Sequence, residues 1–224
     1  MRISHVLLTV ATLLSPLLAY AGGVGLGATR LVYQAGDKQA ALGVRNTNEN
    51  DPYLIETWLD NANNEQTTDF VVVPPLAVLQ PKSENTLRIM FTGQGLPQDR
   101  ETLYWMTVKA IPQSAPHEKN TLQMAAASRI KVFYRPTNLP IAPSDAWKRL
   151  EGTFNTGKVT LHNPTPYYIT LSSLTIDGKK VTPLMIAPKN KITLTGTFAN
   201  AKKAEYQTTN DYGAITETAT INIK

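Results

Sequence analysis

The chain has 224 residues, 42% of them apolar, which suffices for a buried core and excludes wholesale disorder. It has no cysteine, so small disulfide-stapled folds, thiol catalysis and zinc–thiolate sites are excluded. The formal net charge of +5 is scattered along the chain, without the dense basic patch that nucleic-acid binding calls for, and favours an acidic partner only weakly.

The first predicted element is an export signal over residues 1–21. Arg2 supplies the positive start, 6–18 is a mostly apolar run, and Ala19-Tyr20-Ala21 fits a small-x-small cleavage site. The run is too short to span a bilayer, and no later stretch could span one. The mature chain then begins at Gly22, and its charge falls to +4 (+5 − 1) with the loss of Arg2.

From there strand signals dominate. Runs rich in Val, Ile, Thr and Tyr predict strands over 41–45, 53–59, 70–73, 86–91, 103–111, 122–134, 158–161, 168–175 and 215–223. No stretch keeps a 3.6-residue apolar period with caps, so the fold class is all-β, with sandwich spacing. Leu139-Pro140-Ile141-Ala142-Pro143 reads as a stiff connection, because neither proline can donate to a ladder. It divides the chain into domains 22–139 and 144–224, joined by a hinge at 140–143. Leu42-Gly43-Val44-Arg45-Asn46 followed by Pro52-Tyr53 is echoed by Val159-Thr160-Leu161-His162-Asn163 followed by Pro166-Tyr167. The echo predicts one architecture used twice. Asp177-Gly178 predicts a hairpin turn.

Catalytic patterns were sought and none was found. His5 leaves with the signal, His117 lies in a polar loop and His162 ends a strand; no HExxH, GxSxG or metal-spaced cluster occurs. Gly23, Gly25 and Gly27 lack the strand-then-helix context of a phosphate loop. The acidic residues Asp99 and Glu101 have no second feature pointing to hydrolysis. No catalytic residue, metal ligand or cofactor site is assigned.

The informative stretch is 120–136. Its even positions, Leu122, Met124, Ala126, Ser128, Ile130, Val132 and Tyr134, are apolar apart from Ser128, while Arg129, Lys131 and Arg135 fall on the opposite face. A small domain needs about five or six residues of strand for its own core. The early part, 122–126, is therefore free to present apolar side chains elsewhere. An ordinary long core strand fits the same pattern, and that alternative stays open on the pattern alone.

Asn-Thr-Leu-Gln-Met at 120–124, followed by Arg-Ile-Lys-Val-Phe-Tyr-Arg-Pro at 129–136, resembles the signature strand of the periplasmic pilus-assembly chaperones, the PapD/FimC-like family. Further motifs of that family recur in order. They are Gly27-Ala28-Thr29-Arg30-Leu31-Val32-Tyr33, Val73-Pro74-Pro75-Leu76, Leu87-Arg88-Ile89, the stretch 96–105, Trp147 and Asn210-Asp211-Tyr212-Gly213.

The resemblance implies two immunoglobulin-like β-sandwich domains in a boomerang, with no enzymatic activity and no cofactor. The partners it implies are pilus subunits, each an incomplete sandwich, and an outer-membrane usher that receives them. Leu122, Met124 and Ala126 would be the side chains of a donated strand that fills the subunit's groove. Ala126 is smaller than the family's usual residue there. Arg30 and Lys131 would grip the subunit's C-terminal carboxylate. Glu101, Arg135 and Asp211 would form an ion network bridging the domains. The stretch 113–119 is short and free of cysteine, which resembles the short-loop branch, generally serving rod-like pili. The exposed strand also offers a route to weak self-association when no client is bound. Two other readings predict features of their own. An exported pilin or adhesin should show a cysteine pair and an alternating N-terminal extension, and a secreted hydrolase should show a nucleophile beside a base. None of these features stands out.

Overall fold

The computed structural model describes residues 22–113, 123–196 and 198–224. The expected export signal at 1–21 and Leu122 lie outside the described residues.

Nine strands build the first sandwich. One sheet has the order β1 (Val24–Leu26), β3 (Ala40–Asn46), β7 (Glu84–Phe91), β5 (Phe70–Val73). The other has the order β2 (Arg30–Gln34), β9 (Ala126–Arg135), β8 (Thr102–Pro112), β4 (Tyr53–Asn61), β6 (Leu76–Leu79). Alternation sorts the side chains. Leu42 and Val44 of β3 and Ile55 and Leu59 of β4 point inward and are almost fully buried. Ile89, Met106 and Val132 fill the centre of the core. Each such side chain contributes roughly 1.5–3 kcal/mol by leaving water. Edge-on rings close one end, with Phe70 at 4.9 Å from Tyr104 and 5.3 Å from Tyr33 between ring centres.

A second, separate apolar core lies between two further sheets. One has the order β10 (Glu151–Asn155), β11 (Lys158–His162), β15 (Lys191–Thr193); the other runs β13 (Lys179–Lys180), β12 (Ile169–Ile176), β16 (Lys203–Thr208), β17 (Ala219–Asn222), with β14 (Met185–Ile186) also paired to β12. Asp177 and Gly178 both take positive φ, 46° and 80°, between β12 and β13. That is the backbone a tight two-residue hairpin turn requires.

Three expectations change. A helical turn, α1 (Pro143–Ala146), continues as a 3-10 turn over Trp147–Arg149. It is too short to show a period; Pro143 starts it, and burial of Ala146 and Leu150 holds it. The strand expected over 122–134 enters the ladder at Ala126. The strand expected over 215–223 is confined to β17. Ahead of it Ile215 makes only an isolated bridge to Thr209, and the Thr216 hydroxyl takes the Thr208 N–H at 2.9 Å. A side-chain oxygen replaces the ladder acceptor there.

The sequence echo has a physical basis. Asn46 ends β3, Asn163 directly follows the equivalent β11, and both are fully buried. Asn46 Nδ2 donates to the carbonyls of Asp51, Leu79 and Gln80, and Asn163 Nδ2 to those of Tyr167, Ile186 and Ala187. Each Oδ1 accepts a backbone N–H two residues on, from Asn48 and Thr165. One amide thus ties a strand end to two turns. Asn163→Ala strands these carbonyls and is expected to destabilise the second sandwich by about 3 kcal/mol. A urea midpoint within error of wild type would contradict this.

Candidate functional site

The site lies at the start of β2. β2 pairs in parallel with β9 from Arg30↔Lys131 to Gln34↔Arg135. β8 covers the other edge of β9 all the way back to Ala110↔Ala126. Ahead of Arg30 the chain crosses to the opposite sheet, where Leu26 pairs with Val44. Residues 126–130 of β9 therefore have one edge with no ladder partner among the described residues. An open edge of this kind is a template for another strand.

The side chains along it are exposed. Met124 is 75% exposed, and Ala126 and Ser128 are exposed too. The three line a hollow of about 200 Å³ together with Val24, Leu26, Val108 and Ala110, at the mouth of the first core. Further along β9 the same face turns inward at Ile130, Val132 and Tyr134.

At the closed end of the edge sit two cations. The β2–β9 register places Arg30 directly beside Lys131. Arg30 is 9% exposed; its Nη1 donates to Thr209 O at 2.8 Å, and its buried Nε has no hydrogen-bond partner. Lys131 Nζ lies 3.4 Å from Thr170 Oγ1. Neither forms an ion pair among the described residues. Burial, and secondarily Arg30, hold the Lys131 ammonium below its usual range; burial likewise lowers the Arg30 guanidinium. Two cations withdrawn from water and an unused donor constitute a site for a carboxylate.

Behind this pair the two sandwiches are locked together. Arg135 Nε donates to Glu101 Oε1 at 2.7 Å, and its two Nη groups grip both oxygens of Asp211 at 2.7 and 2.8 Å. Glu101 Oε2 accepts the Tyr168 N–H at 2.7 Å. Burial pushes the Glu101 carboxyl up, and Arg135 pulls it back. Arg135 stays charged: its two carboxylate partners outweigh desolvation and hold it above its usual range.

Both halves of the chain match one family. The model described as pili and flagellar-assembly chaperone, PapD N-terminal domain, matches residues 23–140, and the PapD C-terminal domain model matches 145–220. The chain belongs to the PapD family of pilus-assembly chaperones. Among curated relatives, the probable fimbrial chaperone protein ElfD of Escherichia coli O157:H7 is 46% identical over 205 residues, covering 91% of this chain and 87% of the relative. Chaperone protein FimC of Escherichia coli K12 is 44% identical over 197 residues, covering 87% and 82%. The crystal structure of the periplasmic chaperone SfaE superposes with a TM-score of 0.80 at 42% identity, covering 90% of this chain and all of that one (100%). The SafB chaperone, solved in complex with the SafA pilin of Salmonella enterica, gives a TM-score of 0.81 at 31% identity, covering 91% and 98%.

In this chaperone the fold brings Arg30 next to Lys131, sets Met124 and Ala126 on the exposed edge, and joins Glu101, Arg135 and Asp211. Sequence reasoning missed the hydrogen-bond partners that the second sandwich supplies. Thr209 and Thr170 receive the two cations, and Tyr168 serves Glu101. It also missed Phe133, which lies on the charged face of β9 yet is buried against Tyr168 at 5.6 Å between rings. A second ion pair, Lys189 with Asp99, crosses between the sandwiches at the surface. The Phe133 signal was readable as an aromatic residue among the odd-position charges. The threonines carried none.

Proposed function

We propose that this chaperone captures one unassembled fimbrial subunit by donating β9 and its leading residues to the subunit's incomplete sandwich. It then delivers the subunit to an outer-membrane usher. The observation that carries this reading is the Arg30–Lys131 pair, which forms no ion pair among the described residues, at the closed end of the open edge. A client strand added ahead of β2 and running parallel to β9, as β2 does, ends at these two cations. Its terminal carboxylate then sets the register, so a one-residue slip that would turn every side chain to the wrong face is resisted.

In this scheme residues 1–21 are removed on export to the periplasm. Domain 22–139 supplies the donated strand, 140–143 is the hinge, and 144–224 forms the far wall of the cleft. Leu122, Met124 and Ala126 enter the client's groove, and the small Ala126 leaves its end less filled. The Glu101–Arg135–Asp211 network holds the cleft angle. Binding, with no covalent step, is the whole of the chemistry, so no cofactor is needed and the protein is not an enzyme.

The test is co-purification from periplasm. A one-to-one complex with a fimbrial subunit is expected; recovery of the chaperone alone from a host assembling its pili would overturn the reading. Met124→Asp places a charge where an apolar groove must close and is expected to weaken capture at least about 100-fold. Met124→Leu should retain it. Full binding by the aspartate variant would put Met124 outside the contact.

A further inference from the structure

The loop between β16 and β17 carries two exposed apolar side chains for which strand donation has no use. Tyr212 is 95% exposed and Ile215 63%. The loop beneath them is tightly built. Asn210 Oδ1 accepts the N–H groups of Tyr212 and Ala214, both at 3.0 Å, while the Asn210 N–H donates to Ala214 O at 2.9 Å. Asp211 is held by both Nη groups of Arg135. Gly213 has φ +84°, and a Cβ there would come within 2.5 Å of Thr29 Oγ1, so the turn needs glycine and lies against the residue before Arg30. Tyr212 shares the lining of a cleft of about 420 Å³ with Arg30, Phe133, Tyr168 and Thr209.

We propose that Tyr212, with Ile215 on the same loop, is a brace from the second sandwich that packs against an apolar surface on the body of the bound subunit, beyond the strand anchored at Arg30 and Lys131. This rests on the capture reading above and adds a contact that strand donation does not contain. The occupant follows from position. Arg30 and Phe133 form one wall of the cleft and this loop the other, so a chain whose carboxylate reaches Arg30 carries its body past Tyr212. A tyrosine offers a large contact area with few torsions to freeze, and a turn already ordered by Asn210, Asp211 and Gly213 loses little more on binding.

The probes are the subunit that co-purifies with the chaperone, isolated and refolded, and a synthetic peptide of its C-terminal strand with a free carboxylate. Tyr212→Ser is expected to weaken binding of the whole subunit about tenfold while leaving peptide affinity within about twofold. Tyr212→Phe should bind both as wild type does. Unchanged affinity of Tyr212→Ser for the whole subunit would overturn the proposal, and so would equal losses for subunit and peptide, which would assign Tyr212 to the strand anchor. A change confined to self-association in sedimentation velocity would mean that a second copy of the chain is the partner, which also overturns it. Wild-type protein that binds neither probe would sink the capture reading itself, an outcome distinct from any effect of Tyr212.

Discussion

Lys131→Met is expected to weaken subunit capture about 10²-fold, and Arg30→Ala with Lys131→Met together about 10⁴-fold, with the fold intact. Each cation offers the client carboxylate a charge-assisted hydrogen bond of about 1.5–3 kcal/mol. Neither forms an ion pair among the described residues; Asp211 and Glu101 act on Arg30 only at longer range, and burial outweighs them, so direct pairing is left for the incoming group. The free protein should respond in the opposite sense. Burial and Arg30 hold the folded-state pKa of Lys131 below its ordinary value of 10.5. For a base lowered in this way, the charged form is penalised in the fold at neutral pH, and stability recovers as pH rises through the folded value towards 10.5. Lys131→Met removes that penalty and should raise the urea midpoint of the free protein at pH 7. Isothermal titration with the purified subunit, beside urea unfolding of the free chain, reads both effects. Wild-type affinity in the double variant would eliminate the anchor.

Arg135→Met should cost about 3 kcal/mol of stability, because it leaves Glu101 buried without its cation. Glu101 is 3% exposed and keeps only the Tyr168 N–H on its side chain. The contribution of Asp211 is smaller, since its side chain is 35% exposed and water screens it. A pH signature separates this from simple loss of packing. Burial raises the folded pKa of Glu101 above 4.5, and loss of Arg135 raises it further. An acid raised in the folded state favours the fold at low pH. The variant should be closest to wild type below pH 4.5 and lose stability as pH climbs through the folded value. Glu101→Gln added to Arg135→Met should flatten that slope. A pH-independent deficit in the single variant would show that Glu101 is not the group left exposed to the penalty.

The expected strands at 53–59, 70–73 and 103–111 correspond to β4, β5 and β8, because inward residues such as Ile55, Leu59 and Met106 repeat at the period of a pleated strand. β16 escaped that reading. Its run Lys203–Thr208 is charged, and only Ala204, Tyr206 and Thr208 face inward. The burial of Phe133 and Arg135 likewise runs against alternation, which assigns them to solvent. The second sandwich covers that face, a fact that no local window contains.

The amino-acid sequence by itself determined the strand-rich class and the repeated Asn-then-Pro-Tyr unit, because alternation and turn chemistry act over a few residues, whereas the pairing of Arg30 with Lys131 was implied only by the family resemblance. Only the tertiary structure decided that β2 begins opposite Lys131, that the edge from 126 to 130 stays open, and that Thr209, Thr170 and Tyr168 face the charges on the first sandwich. Those contacts join residues 39 to 179 positions apart, and their energy depends on which groups folding withdraws from water together.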